Sequence, residues 1–241
     1  MIDLVARQIQ ILRAIIEEFI STAKPVGSDT IDKKYNIGVS PATIRNEMVY
    51  LTKQGYLKKS HISAGRIPTP LALRLYVNEL MKEKELSVAD EVGAKEKIWK
   101  HRLQTDALLY EAAKLMAEKS GAVGLAMTDK GSRIYHSGYA NLLNMPEFFD
   151  IRVTRNVLNL IEEVDMMGEV FDLGQSENPV HLVFGKELGN KNLDQISVIY
   201  TDVNAAGRMC KLGVLGSHRF DYAYIIPMMK YFKALIEEIA G

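Results

Sequence analysis

The chain has one cysteine in 241 residues, Cys210, so no internal disulfide can form, and such a chain suits a reducing compartment. Cys210 lies in an apolar stretch, which predicts a buried, inert thiol rather than a nucleophile. Histidine is also sparse. His61, His101, His136, His181 and His218 are scattered, without the spacing of a metal motif. No apolar run approaches the ~18 residues that a membrane span requires. The opening residues place Asp3, Arg7 and Gln8 amid apolar side chains, a helix pattern rather than a signal peptide, so a cytoplasmic location is expected. Gly121-Ala122-Val123-Gly124 is the nearest approach to a glycine-rich loop, and no Walker or dinucleotide fingerprint surrounds it. Glu162-Glu163 reads as a solvated helix face rather than an acid/base pair, and Tyr135, Tyr139, Phe148 and Phe149 read as core. The sequence thus predicts no enzyme, no cofactor and no metal.

Net charge is absent as well: thirty basic residues balance thirty acidic ones. The balance hides a split. Residues 1–78 carry 11 Lys/Arg against 6 Asp/Glu, whereas residues 79–241 carry 19 against 24. A basic module that meets a polyanion, joined to an acidic module with another task, has this asymmetry. At 47% hydrophobic and 25% charged, the composition excludes wholesale disorder and leaves room for a small and a medium domain.

From Leu4 to Ala23, Ile9, Leu12, Ile16, Phe19 and Ile20 recur at helical spacing, and Pro25 and Gly27 end that helix. Ser28 reads as the N-cap of a second helix reaching about Tyr35. Ser40-Pro41, a hydroxyl cap followed by proline at the first helical position, opens a third helix to about Gln54, with Gly55 as its stop. Helix, short turn and helix within ~30 residues form a helix-turn-helix pattern. With Ile44, Met48 and Leu51 facing inward, Ala42, Asn46 and Lys53 point outward, flanked by Thr43, Arg45 and Tyr50. That outward set suits a major groove: Arg forks to guanine, Asn pairs with adenine, and the methyls of Ala42 and Thr43 touch thymine. Ser40 and the helix N-terminus offer donors to a phosphate. Next, Tyr56–Ile62 and Ile67-Pro68 read as a two-stranded wing around a Ser63–Arg66 turn, where Lys58, Lys59, His61 and Arg66 would add phosphate contacts. Thr69-Pro70 caps a fourth helix carrying Leu73, Tyr76, Val77 and Leu80.

Several segments resemble the HrcA family of heat-inducible transcription repressors. They are Pro25-Val26-Gly27-Ser28, then Ser40-Pro41-Ala42-Thr43-Ile44-Arg45-Asn46-Glu47-Met48, Gly55-Tyr56, and the run from His61 through Thr69. Later echoes are Gly138-Tyr139-Ala140-Asn141-Leu142-Leu143, Pro146-Glu147-Phe148, Leu212–Gly216, Arg219 and Asp221-Tyr222. The resemblance implies a dimeric repressor that binds an inverted-repeat, double-stranded operator ahead of chaperone genes and is supported by a GroE-type chaperonin. It implies DNA contacts at Ser40, Thr43, Arg45, Asn46, His61, Ser63 and Arg66. Two departures stand out. Met127-Thr128 leads almost at once to Ile134-Tyr135-His136, so the family's inserted dimerisation segment is missing. The family's Gly-Pro-Thr-Arg reads Gly216-Ser217-His218-Arg219 here.

Residues 87–120 read as helical. Short β-like runs follow at 122–127, 133–136, 180–184, 197–200 and 212–215, with a helix at about 146–164 and a last helix from Asp221 to Ala240. The expected architecture is α+β: a winged helix-turn-helix DNA-binding domain at 1–86, then an α+β domain at 87–241 that the resemblance makes GAF-like and assigns to regulation and dimerisation. Two rival readings accompany this one. A small molecule in the GAF-like domain would switch DNA binding, or the winged helix would serve as a protein-interaction scaffold.

Overall fold

The structure is a computed structural model and describes residues 4–60, 65–128, 133–174 and 178–240. The chain divides into two compact units, one of Met1–Lys82 with Asp221–Ala223, the other of Glu83–Phe220 with Tyr224–Gly241.

In the first unit, α1 (Ala6–Thr22) ends where Ala23 turns left-handed and donates its N–H to the Phe19 carbonyl. Its buried face is wider than the spacing of Leu12, Ile16 and Phe19 suggests. Ile11 and Ile15 are also fully buried, whereas Ile9 and Ile20 lie at the margins. In α2 (Ser28–Tyr35) the N-cap is Gly27 rather than Ser28, which is already the first helical residue. Helix α3 (Pro41–Lys53) starts as its sequence predicts: the Thr43 N–H donates to the Ser40 hydroxyl at 3.2 Å, and Pro41 follows the cap. Strands β1 (Leu57–Lys59) and β2 (Arg66–Pro68) pair antiparallel with Lys58 opposite Ile67. Of the strand expected over 56–62, residues 57–59 are extended and 61–62 lie outside the described residues; Arg66 also pairs with Val26, which ties the hairpin to the α1–α2 connection. Gly65 is required there, since a Cβ would lie 2.8 Å from that of Pro25. Helix α4 (Pro70–Leu75) is capped by Thr69 and continues as one π turn through Tyr76–Leu80. Ile11, Leu12, Ile15, Ile16, Ile31, Ile44, Leu51 and Leu73 form the buried apolar interior of this unit.

In the second unit, α5 (Val88–Trp99) and α6 (Thr105–Ser120) are separated by tight turns at 100–104, so the single helical stretch expected over 87–120 is broken. Among the described residues five antiparallel strands follow: β3 (Val123–Thr128), β4 (Ile134–Ser137), β5 (His181–Phe184), β6 (Ile196–Ala205) and β7 (Arg208–Ser217), in the order β4-β3-β7-β6-β5. β6 and β7 are ten residues each, much longer than their apolar cores predict. The extension alternates buried residues such as Val203 and Cys210 with polar ones, and its rungs include Asp202 opposite Lys211.

The β3–β4 connection is followed by α7 (Tyr139–Leu142), a 3₁₀ turn at Pro146–Phe149, α8 (Ile151–Glu162) and α9 (Val164–Leu173). The helix expected over 146–164 is thus divided by Asp150, whose carboxylate accepts the Arg152 N–H and starts α8 afresh. One sheet face, with Val123, Leu125, Val198, Tyr200 and Leu215, packs under Val157, Leu160 and Ile161 of α8 and Met167 and Phe171 of α9. The other face meets α6 so closely that a Cβ on Gly124 would sit 1.8 Å from the Ala113 carbonyl oxygen. The last helix, α10 (Tyr222–Ala240), ties to β6 through Lys233, which donates to the Asp202 carbonyl. Cys210 is buried in β7, where it faces Val203.

Candidate nucleic-acid interface

Helix α3 has one buried and one exposed face. Ile44, Met48 and Leu51 are buried, and Ala42, Arg45, Asn46, Val49 and Lys53 are exposed. The exposed residues recur at spacings of three and four, which puts them on one side of the helix. Thr43 and Tyr50 are half-buried at its margins, as flanking positions should be. Ser40 is exposed at the N-terminal end, where its hydroxyl lies 3.0 Å from that of Thr43.

Val49 escaped the sequence reading. A valine in a helix normally signals core, but this one is 41% exposed between Asn46 and Lys53. The signal that could have found it is positional, since it sits three and four residues after Asn46 and Arg45 on the same side. It supplies a methyl-bearing surface of the kind that contacts thymine.

Arg45 does not stand alone. Its guanidinium donates to the Ser28 hydroxyl at 3.4 Å and lies 4.0 Å from the Asp29 carboxylate, both on α2. Arg45 and Asp29 both remain mostly exposed, so this ion pair is weak and leaves the arginine available. Ser28, Asp29, Arg45, Lys59, Ser60 and Arg66 line one side-open cleft of about 440 Å³ between α2, α3 and the hairpin. Lys58 and Lys59 are exposed on β1. Arg66 is placed differently: it is half-buried, and its Nε donates to Thr52 Oγ1 of α3 at 3.2 Å. It therefore fastens the hairpin to α3 as well as lining the cleft. His61 and Ser63 lie outside the described residues.

The single acid of α3, Glu47, points away from this face. It is buried against α1, where Arg7 Nη2 donates to Oε1 at 2.6 Å and Gln8 Nε2 donates to Oε2 at 3.0 Å. The Gln8 hydrogen bond, helped by Arg7 and opposed by burial, holds the Glu47 carboxyl below the ordinary glutamate value. α3 itself therefore contributes no negative charge to its exposed side, where the nearest carboxylate is Asp29 of α2 beside Arg45.

In the second unit, no group of three or more His, Cys, Asp or Glu among the described residues is placed to hold a metal ion. No helix among them is long and apolar enough to cross a membrane. Two charged clusters there tie elements together. Arg219, after β7, pairs with the buried Glu147 of the 3₁₀ turn, with Nη2 donating to Oε2 at 2.9 Å. Asp202 receives Lys211 at 2.6 Å and lies 3.1 Å from His181 Nε2.

Comparison with known proteins fits the whole chain. The family model described as HrcA protein C terminal domain matches residues 45–226. The heat-inducible transcription repressor HrcA of Symbiobacterium thermophilum is 26% identical over 333 residues, covering 97% of this chain and 98% of that protein. At least 92 of those 333 positions, the excess over the chain's 241 residues, face gaps in this chain, and they fall within the aligned span because both chains are covered nearly end to end. The protein of the same name from Clostridium perfringens is 48% identical over 114 residues, which is 47% of this chain and 32% of that one. A crystal structure of a hypothetical protein, solved at 2.2 Å, shares the fold with a TM-score of 0.81 at 21% identity, covering 98% of both chains. With the family model spanning three-quarters of its length and the relatives extending that match almost to both ends, this chain belongs to the HrcA family.

Proposed function

We propose that the chain is a transcription repressor that reads DNA sequence as a dimer on an inverted-repeat operator ahead of chaperone genes, in the cytoplasm. In this reading residues 1–86 form a winged helix-turn-helix, with α3 in the major groove and the β1–β2 hairpin as the wing. Residues 87–241 form a GAF-like domain for regulation and dimerisation, and a GroE-type chaperonin supports the active state. The relatives' name, heat-inducible transcription repressor, agrees with it.

One observation carries the reading: α3 exposes Ala42, Arg45, Asn46, Val49 and Lys53 together while its only acid is turned inward to α1. Burying a carboxylate to clear one face has an electrostatic purpose when that face meets phosphates spaced ~1.7 Å apart along the duplex axis. Arginine then supplies two donors for guanine O6 and N7, and asparagine one donor and one acceptor for adenine N7 and N6, which distinguishes the two bases. Lys58 and Lys59 on the hairpin, and Ser40 at the helix start, contribute sequence-independent contacts that orient the helix.

The test is selection of bound duplexes from a random pool, followed by titration of the winning sequence against a scrambled control. A two-fold symmetric consensus, bound at least a thousandfold more tightly than the control, is expected. Equal affinity for both duplexes would end the reading.

A further inference from the structure

Asp29 puts a carboxylate beside the exposed side of α3, and its neighbours are particular. Among the described residues its cationic partner is Arg45 alone, whose Nη2 lies 4.0 Å from Asp29 Oδ1. Ser28 stands between them: its hydroxyl accepts from Arg45 Nη2 and donates to Asp29 Oδ1, each at 3.4 Å. Ser28 is buried at the start of α2, so the middle of this relay is fixed, whereas both charged ends are exposed. Only Nη2 of the guanidinium is engaged. Nε and Nη1 make no hydrogen bond among the described residues, so donors for a base edge remain.

An acid in the first turn of a helix has an ordinary use, since it favours the positive end of the α2 dipole. That use needs no partner on another helix. A carboxylate on a surface that meets phosphates also repels them, so here the dipole is not the whole account.

An arginine on its flexible stem has two ways to meet a duplex: it forks to guanine, or it swings to a phosphate. The second is open at every sequence. An arginine free to swing recovers much of its binding when the base is wrong, and discrimination is blunted. Held on one side by Ser28 and Asp29, it swings less, and the carboxylate beside it disfavours a phosphate as the alternative. A wrong base then leaves the guanidinium without acceptors. In water the pair is weak, but a duplex that covers it removes the screening solvent and strengthens the attraction.

We infer that Asp29 is a positioning residue that holds Arg45 away from the phosphate backbone, lowering affinity for DNA in general and sharpening the choice at the base Arg45 reads. The inference rests on the proposed reading of α3 and adds to it a residue of α2 that touches no base.

The test compares the full-length protein with Asp29→Asn, Arg45→Ala and the double variant, by duplex selection and by titration of the selected and scrambled duplexes at several salt concentrations. Asp29→Asn is exposed and close to isosteric, and circular dichroism verifies that each variant is folded. It is expected to bind the scrambled duplex several-fold more tightly, with a salt slope steeper by about one, because Arg45 then reaches a phosphate. Its selected duplexes lose preference at one position of each half-site, the position that Arg45→Ala also relaxes, by about tenfold. In the Arg45→Ala background the same substitution changes neither base preference nor salt slope. A carboxylate that serves only the helix dipole would leave base preference alone. A wild type that selects a sequence beside an Asp29→Asn variant with the same preference therefore overturns the inference and leaves the reading of α3 intact. A change of preference that persists in the Arg45→Ala background also overturns it, since Asp29 would then touch a base itself. A wild type indifferent to sequence removes the functional reading, and this inference with it.

Discussion

Arg7 and Glu47 join the first turn of α1 to the middle of α3, with Nη2 of Arg7 2.6 Å from Oε1 of Glu47. Arg7 is half-exposed while the Glu47 side chain is almost covered, so the arginine closes over the carboxylate from the solvent side. Gln8 satisfies the second oxygen. One side chain thereby fixes the rotation of α3 about its own axis, and with it the direction of Arg45 and Asn46.

Replacing Glu47 with alanine is expected to lower the stability of the first unit by about 1–3 kcal/mol, read as an earlier melting transition. The pH dependence follows from the direction of its shift. The folded carboxyl lies below the ordinary 4.5, so its contribution is complete above that value and disappears as pH falls through the folded pKa. Glu47→Gln should flatten this acid limb; an unchanged limb would mean that the ion pair contributes nothing.

Arg45→Ala is expected to cost about 1–3 kcal/mol of operator affinity and to relax base preference at one position of each half-site. Lys58→Ala should weaken all DNA about equally and reduce the salt slope by about one. Titrations at several salt concentrations separate the two effects. Identical behaviour of the two variants would remove α3 as the reader.

Val49→Ala truncates an exposed side chain, so melting should change by less than about 0.5 kcal/mol. The duplexes that the variant selects should lose a thymine preference at one position. A large loss of stability instead would show that Val49 is a packing residue.

Arg219→Ala leaves Glu147 buried without its cation, at an expected cost of about 3–5 kcal/mol in the second unit. Burial pushes the Glu147 carboxyl up, but the Arg219 hydrogen bonds and charge outweigh it and hold the group below its ordinary value. Arg219→Lys keeps the charge and loses the forked geometry, so it should fall between wild type and alanine in denaturant titration.

Gly124→Ala forces a methyl against the Ala113 carbonyl and should destabilise the second unit by about 1–3 kcal/mol or more. A neutral outcome would require α6 to move off the sheet freely, contrary to its tight packing.

Local signals were legible wherever the chemistry is local. Ser40-Pro41 announced the start of α3, and the apolar spacing of Ile44, Met48 and Leu51 identified its buried side. Signals failed where a distant partner decides. The β-like runs expected at 197–200 and 212–215 stop short of the outer halves of β6 and β7, which mix polar and apolar residues, yet those halves are strands because each supplies the other's hydrogen bonds and Asp202 meets Lys211. The helix expected over 146–164 is broken because the Thr154 hydroxyl donates to the Phe148 carbonyl and Asp150 recaps the chain, a choice that periodicity does not record.

Residue order by itself determined family membership, the helix starts, the basic bias of the first 78 residues and the outward side of α3, because each depends on neighbours within a few residues or on simple counting. Tertiary structure alone decided where Glu47 turns, that Arg66 reaches back to Thr52, that Val49 is left uncovered, and that Glu147 and Arg219 meet across 72 residues of chain. Those outcomes depend on which surfaces remain after every helix has buried its apolar side. That remainder belongs to the packed molecule, and no stretch of sequence contains it.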